Sequence, residues 1–139
     1  MRAVRVVRHG EPSEAICVED VEVPEPGPGQ VRVRVAAASL NFGDVARCRG
    51  GVNASMAAPP FTLGMDVAGV VEAAGEGMER WLDRRVVGIT PQAVGGLAEH
   101  ALAGTVLDAP PGYDDVAAAA FTLPFHVSWL ALHERARLA

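Results

Sequence analysis

The stretch from Ser39 to Gly51 reads S-L-N-F-G-D-V-A-R-C-R-G-G, and the chain resumes at Pro59 as P-P-F-T-L-G-M-D-V-A-G-V-V-E. The first part predicts a short helix, because Asn41 suits the N-cap and Asp44 places a carboxylate near the free N–H groups of the first turn. The second part is rich in valine and glycine, which predicts a strand with close backbone approaches. A capped helix, an apolar connection and this strand together predict one wall of a ligand pocket.

Short strands surround this wall. Alternation of apolar and polar residues predicts strands at residues 2–8, 16–23, 31–35, 68–74, 85–89 and 97–102, separated by glycine- and proline-rich turns. Such spacing is typical of an antiparallel barrel or sandwich, so we expect a mainly β fold with short helices. Near the end the pattern changes. Asp114 or Asp115 is predicted to cap an Ala-rich helix through Ala120, and a second helical segment is predicted over Phe125 to Leu138.

Composition limits the classes of function. The 139 residues suffice for one domain, and 50% hydrophobic with 21% charged residues excludes disorder. A net charge of −5 argues against nucleic-acid binding. No apolar run is expected to reach bilayer length and no signal peptide is apparent, so a cytoplasmic protein with no membrane role is expected. All twelve basic residues are arginine, which excludes a lysine nucleophile, and Cys17 and Cys48 are expected to be reduced thiols.

The order of motifs resembles the medium-chain dehydrogenase/reductase superfamily. The matching segments are Leu40–Val45, Arg49–Gly51, Pro60–Phe61, Gly64–Val71, Arg85–Gly88, Gly96–Glu99 and Leu123–Leu132. They resemble its zinc-independent branch, which includes quinone oxidoreductases and enoyl reductases. The resemblance implies a GroES-like antiparallel β-barrel at residues 1–120 as the substrate domain. It also implies a connecting helix at residues 121–139 that leads toward a Rossmann nucleotide-binding domain.

That nucleotide-binding domain is not expected within these 139 residues. The pieces Gly27-Pro28-Gly29 and Gly75-Glu76-Gly77 do not extend to G-x-G-x-x-G, and neither opens a helix after a strand. Both are predicted to be turns. The cofactor domain would therefore lie on a longer chain or on a partner, and this chain alone is predicted to be inactive.

Members of this superfamily differ in whether they use zinc. Relatives that use zinc place Cys at the position of Asn41 and His-Glu at the positions of Met65 and Asp66. An amide and a thioether are poor zinc ligands beside a thiolate and an imidazole. We therefore predict no metal site.

The resemblance also implies site residues. Asn41 and Asp44 match positions beside the nicotinamide and the substrate carbonyl, and they are the candidate catalytic residues. Asn41 and Ser128 are the candidate cofactor contacts, and Phe42, Phe61 and Met65 are candidate substrate-pocket residues. Helix capping explains Asn41 and Asp44 equally well, and core packing explains any one apolar candidate. The tyrosine that many relatives carry is replaced by Ala46, so no general acid is assigned.

The implied reaction is hydride transfer from NADPH to a quinone or an activated enone, without a metal. An enoyl-thioester reductase is an alternative within the same chemistry. A GroES-like module that binds a small ligand or another subunit without turnover is an alternative of a different class, and association into a homo-oligomer is compatible with each of them.

Overall fold

The computed structural model describes residues 1–51 and 58–138. Residues 52–57, which lie in the connection between the predicted helix and the predicted strand, are outside that range, as is Ala139. The strands are β1 (Arg2–Val6), β2 (Ile16–Asp20), β3 (Val31–Ala38), β4 (Phe61–Thr62), β5 (Asp66–Ala74), β6 (Arg85–Ile89), β7 (His100–Ala103) and β8 (Thr105–Asp108). The helices are α1 (Pro12–Ala15), α2 (Phe42–Cys48) and α3 (Asp115–Trp129), with 3-10 turns at Glu79–Trp81 and Pro91–Ala93 and a π-helical segment at Leu130–Arg135.

The strands form two antiparallel sheets. The smaller has the order β2-β1-β4 and the larger the order β7-β3-β5-β6-β8. The main core lies on the larger sheet, where fully buried valines pack together: Val31, Val33, Val67, Val71 and Val86. The predicted mainly β class is confirmed, and the described residues form two sheets and no closed barrel.

The pairing of β3 with β5 is the longest strand pairing among the described residues, and it positions the site. Gly69 lies opposite Val35, and a Cβ atom on Gly69 would lie 2.1 Å from the carbonyl oxygen of Arg34. Glycine therefore allows the two backbones to approach at this point. Because the strands are antiparallel, the end of β3 lies beside the start of β5, and Ser39 N–H donates to the carbonyl oxygen of Asp66 at 3.1 Å.

The two G-x-G pieces are turns, as predicted, and they lie against each other. Gly29 N–H donates to the carbonyl oxygen of Glu76 at 3.0 Å, and Gly75 N–H donates to that of Gln30 at 2.9 Å. A Cβ atom on Gly75 would come within 1.9 Å of the carbonyl oxygen of Gly27. These backbone groups are thus used inside the fold.

The C-terminal segment is one continuous helix where two were predicted. Asp114 caps it by accepting a hydrogen bond from Ala117 N–H at 2.7 Å, and Ala118 and Ala119 pack on the larger sheet. From residue 125 onward the large apolar side chains are exposed: Phe125, Val127, Trp129, Leu130, Leu132 and Leu138.

This helix also corrects an expectation. Residues Asp115–Arg135 form a helical stretch of 21 residues. By length and composition alone, this stretch is long and apolar enough to cross a membrane. The expectation that no apolar run reaches that length was wrong. Because the first half of the helix packs on the sheet, inserting all of it into a bilayer would remove those contacts.

Candidate functional site

The site lies where β3 ends, α2 begins and β5 begins. Asn41 is the N-cap residue of α2, and its backbone N–H donates to Oδ2 of Asp44 at 2.8 Å. The other carboxylate oxygen of Asp44 accepts from Gly64 N–H at 3.2 Å. Asp44 is almost fully buried, so its carboxylate holds the start of α2 against the segment that leads into β5.

The Asn41 side chain belongs to a ring of three hydrogen bonds. Its Nδ2 donates to Oδ2 of Asp66 at 2.9 Å and to Oγ of Ser39 at 3.1 Å. The Ser39 hydroxyl donates to the same Asp66 oxygen at 3.2 Å. We call this group the Ser39–Asn41–Asp66 ring. It fixes the Asn41 side chain at the edge of the site.

Sequence reasoning missed two members of this ring. The sequence pattern drew attention to Asp66 only as a lone carboxylate that could not hold zinc by itself, and it gave Ser39 no role. The available signal was the antiparallel pairing of the two segments, since it brings the residue after β3 to the residue that begins β5. Neither residue belongs to a recognisable short motif by itself.

Asp66 combines complete burial with incomplete hydrogen bonding. It is fully buried, and its Oδ1 has no hydrogen-bond partner in the described part of the chain. Burial raises the pKa of this carboxyl above its ordinary value, and the neighbouring charge of Asp44 adds to the rise. The hydrogen bonds from Ser39 and Asn41, and the nearby His126, oppose this rise in the pKa.

A buried arginine lies one turn further along α2. Arg47 is 6% exposed, and its Nη1 lies 3.6 Å from Oδ1 of Asp44. Gly43 leaves room for it, because a Cβ atom at Gly43 would lie 3.0 Å from Nη1. The pair therefore places compensating charges beside the site, which is the condition under which buried charges are tolerated.

Gly64 holds the other side of the site. Its φ is +94°, and a Cβ atom on it would lie 2.5 Å from the backbone nitrogen of Leu97. Its carbonyl oxygen accepts from the Thr90 hydroxyl at 3.2 Å. The backbone that carries Asp66 is thus held from two directions.

The structure places the three predicted substrate-pocket residues in different environments. Phe42 is 86% exposed beside Asn41, and Met65 is half-buried next to Asp66. Phe61 instead packs in the core of the smaller sheet. Ser128 is exposed near the end of α3.

A groove of about 530 Å³ lies apart from the candidate site. Its lining includes Arg5, Phe61 and His100, whereas Asn41, Asp44 and Asp66 do not line it. The groove is therefore not part of the site around the Ser39–Asn41–Asp66 ring.

The donor set at the site does not suit zinc. The positions that the resemblance marks for zinc ligands hold Asn41, Met65 and Asp66, and one of the two carboxylate oxygens of Asp66, Oδ2, accepts two hydrogen bonds. In residues 1–51 and 58–138, no three His, Cys, Asp or Glu side chains cluster to hold an ion. An amide, a thioether and a single carboxylate do not make up a zinc site.

Comparison with known proteins gives the family. Residues 27–110 match the alcohol dehydrogenase GroES-like domain. The chain belongs to that family. The GroES-like class and the resemblance to the quinone oxidoreductase branch are thereby confirmed for this domain.

The relatives of this GroES-like domain are longer than the chain. It is 37% identical over 134 residues to the quinone oxidoreductase of Lama guanicoe, covering 95% of this chain and 40% of that protein. It is 39% identical over 103 residues to the phthioceranic/hydroxyphthioceranic acid synthase of Mycobacterium bovis, covering 73% of this chain and 5% of the synthase. The quinone oxidoreductase of Thermus thermophilus, solved also with NADPH, superposes with a TM-score of 0.79 at 36% identity, covering 99% of this chain and 41% of that one.

Proposed function

We propose that this chain is the substrate-side domain of a zinc-independent oxidoreductase that transfers a hydride from NADPH to a quinone or an activated enone. The observation that carries the proposal is the Ser39–Asn41–Asp66 ring, which presents a fixed polar side chain at the start of a rigid helix. The similarity to quinone oxidoreductases, one of them solved with NADPH, supports the same chemistry.

The remaining parts of the enzyme would lie outside these residues. The chain spans about 40% of the length of its quinone oxidoreductase relatives. We propose residues 1–120 as the substrate domain and 121–139 as the connection to a nucleotide-binding domain, on a longer chain or a partner. The exposed apolar end of α3 supports a connection of this kind. The complete protein is proposed to be cytoplasmic, without nucleic-acid or membrane partners.

Each proposed site residue has a distinct role. When bound, the cofactor supplies the hydride, and Asn41 and Ser128 are proposed to contact it. Asp44 holds the N-terminus of α2, and therefore Asn41, in place. Phe42 and Met65 are proposed to contact a flat or acyl substrate, because aromatic and thioether side chains suit such groups. Phe61 remains a weaker pocket candidate, since it packs in the core.

The proposal is tested on the complete protein that carries this domain. We expect oxidation of NADPH by a quinone, unchanged after treatment with a zinc chelator. The 139-residue chain alone should show no turnover. Loss of activity on chelation, or turnover by the isolated chain, would contradict the proposal.

A second candidate is an enoyl-thioester reductase. It is favoured by the similarity to a stretch of the mycobacterial synthase. A crotonyl thioester compared with a quinone, at equal NADPH, separates the two by the ratio of kcat/KM. If neither substrate class is turned over, the result would support the third candidate function, a GroES-like module that binds a ligand without catalysing a reaction.

A further inference from the structure

We propose that Ser39 and Asp66 hold Asn41 in a single amide orientation, so that the site accepts a ligand group that donates a hydrogen bond, such as a primary carboxamide. A group that can only accept, such as a ketone oxygen, would find no donor at Asn41. Asp66 and Ser39 are thus positioning residues that act through Asn41.

The hydrogen-bond inventory of the amide carries this inference. An asparagine amide has two N–H donors and one carbonyl oxygen. One N–H is given to Asp66 at 2.9 Å and the other to Ser39 at 3.1 Å. The Asn41 side chain is half-buried. Its Oδ1 faces the backbone N–H of Asp44 in the capping box, and the second lone pair of Oδ1 is the acceptor left for a ligand. That atom can only accept.

The opposite orientation is unfavourable. Turning the amide by half a rotation would place Oδ1 against the carboxylate of Asp66, and two acceptors would then face each other in a buried site. Asp66 is fully buried, so bulk solvent does not replace the lost hydrogen bonds. The Ser39 hydroxyl is already donated to Asp66, so it offers no second hydrogen to the turned amide.

This inference deepens the proposed function and rests on it for the identity of the ligand. The carboxamide of a nicotinamide carries two N–H donors that suit Oδ1 of Asn41. The carbonyl oxygen of a quinone or an enone does not. Polarisation of the substrate carbonyl would then come from a group other than Asn41, which narrows its role to orienting the cofactor.

The orientation is tested first, by NMR on this 139-residue chain. The sequence has two asparagines, so labelling with ¹⁵N-asparagine gives two side-chain amide pairs, and Asn53→Asp assigns them. We expect both Asn41 amide protons to exchange slowly with solvent. Ser39→Ala should release one of them, and Asp66→Leu should release the other. Fast exchange of either proton in the unsubstituted chain would overturn the proposal.

The ligand preference is tested second, on the same labelled chain. Nicotinamide and 3-acetylpyridine have similar shapes, but only the first has N–H donors. We expect nicotinamide to shift the Asn41 signals with a Kd about fivefold lower, the equivalent of one neutral hydrogen bond. Equal or stronger binding of 3-acetylpyridine, or no shift of Asn41 by nicotinamide, would overturn it. Neither readout depends on hydride transfer, so a failure here is distinct from a failure of the proposed reaction.

Discussion

At the scale of single residues, Asp66 links the site to stability. Its pKa is raised above the ordinary value of 3.8 because the carboxyl is buried, so ionising it costs folding free energy. The stability that it contributes is complete below pH 3.8 and is lost as the pH rises through its folded-state pKa.

Asp66→Asn should therefore flatten the dependence of stability on pH. Between the unfolded-state and folded-state pKa values of Asp66, the unsubstituted chain should lose up to about 1.4 kcal/mol more per pH unit than the variant. Urea unfolding measured from below pH 3.8 to neutrality checks this. Asp20→Asn, at the exposed end of β2, is the control and should leave the slope unchanged. Parallel profiles for the chain and Asp66→Asn would contradict the assignment.

Gly64 gives a second prediction at this scale. Gly64→Ala should lower the free energy of unfolding by more than about 2 kcal/mol, because it combines a positive φ with a Cβ atom 2.5 Å from the backbone nitrogen of Leu97. Gly95→Ala is a matched control, since Gly95 has a φ of +107° but open space around it. The control should cost about 1 kcal/mol, which is the strain of a positive φ alone. Equal costs in urea unfolding would show that packing against Leu97 contributes nothing.

At the scale of elements, helix α3 has two halves with different support. Ala118 and Ala119 are buried against the sheet, whereas Val127 and Trp129 are exposed. Pro124, between the halves, removes one backbone hydrogen bond. Amide hydrogen exchange should therefore be slowest near Ala118 and at least about tenfold faster beyond Pro124. Uniform protection along α3 would mean that the exposed half is held by contacts of another kind.

The cap of α3 is tested separately. Asp114→Ala should reduce the free energy of unfolding by about 1 kcal/mol, because Ala117 N–H would lose its acceptor. Asp114→Asn keeps an oxygen at the N-cap and should cost only a fraction of that. If both variants unfold at the same urea concentration as the original chain, the cap does not contribute to stability.

The elements differed in how readily the sequence revealed them. The alternation of valine with arginine in β3 and the capping residues of α2 and α3 are local signals, and those elements lie close to the predicted positions. Helix α1 has four residues and β8 has four, too few to produce a periodic pattern, and both were missed. The break predicted between two C-terminal helices does not occur, since packing on the sheet carries the helix through that region.

The candidate site was only partly predictable for a related reason. Asn41 and Asp44 are neighbours in the sequence and share a helix start, so a local pattern reveals them. The Ser39–Asn41–Asp66 ring depends on the pairing of two strands, because Asp66 is 25 residues from Asn41. Burial, which makes Asp66 unusual, is a property of the assembled fold and of no short segment.

At the scale of the whole molecule, we expect the exposed end of the C-terminal helix to determine whether the isolated chain self-associates. The apolar side chains of Trp129, Leu130 and Leu132 are each about half exposed. The isolated chain should self-associate as its concentration rises, which sedimentation velocity measures. Replacing Trp129 and Leu132 by glutamine should restore the monomer, whereas Val18→Thr, at an exposed apolar residue of β2, should not. A monomer at every concentration would contradict this prediction.

The two glycine turns have a consequence for sequence variation. Because the Gly27–Gln30 turn and the Gly75–Gly77 turn donate backbone hydrogen bonds to each other, a change of length in one removes the partners of the other. The two turns should therefore change together during evolution. Across homologous sequences, insertions and glycine losses at these turns should occur together, and the resulting covariation would link positions almost fifty residues apart.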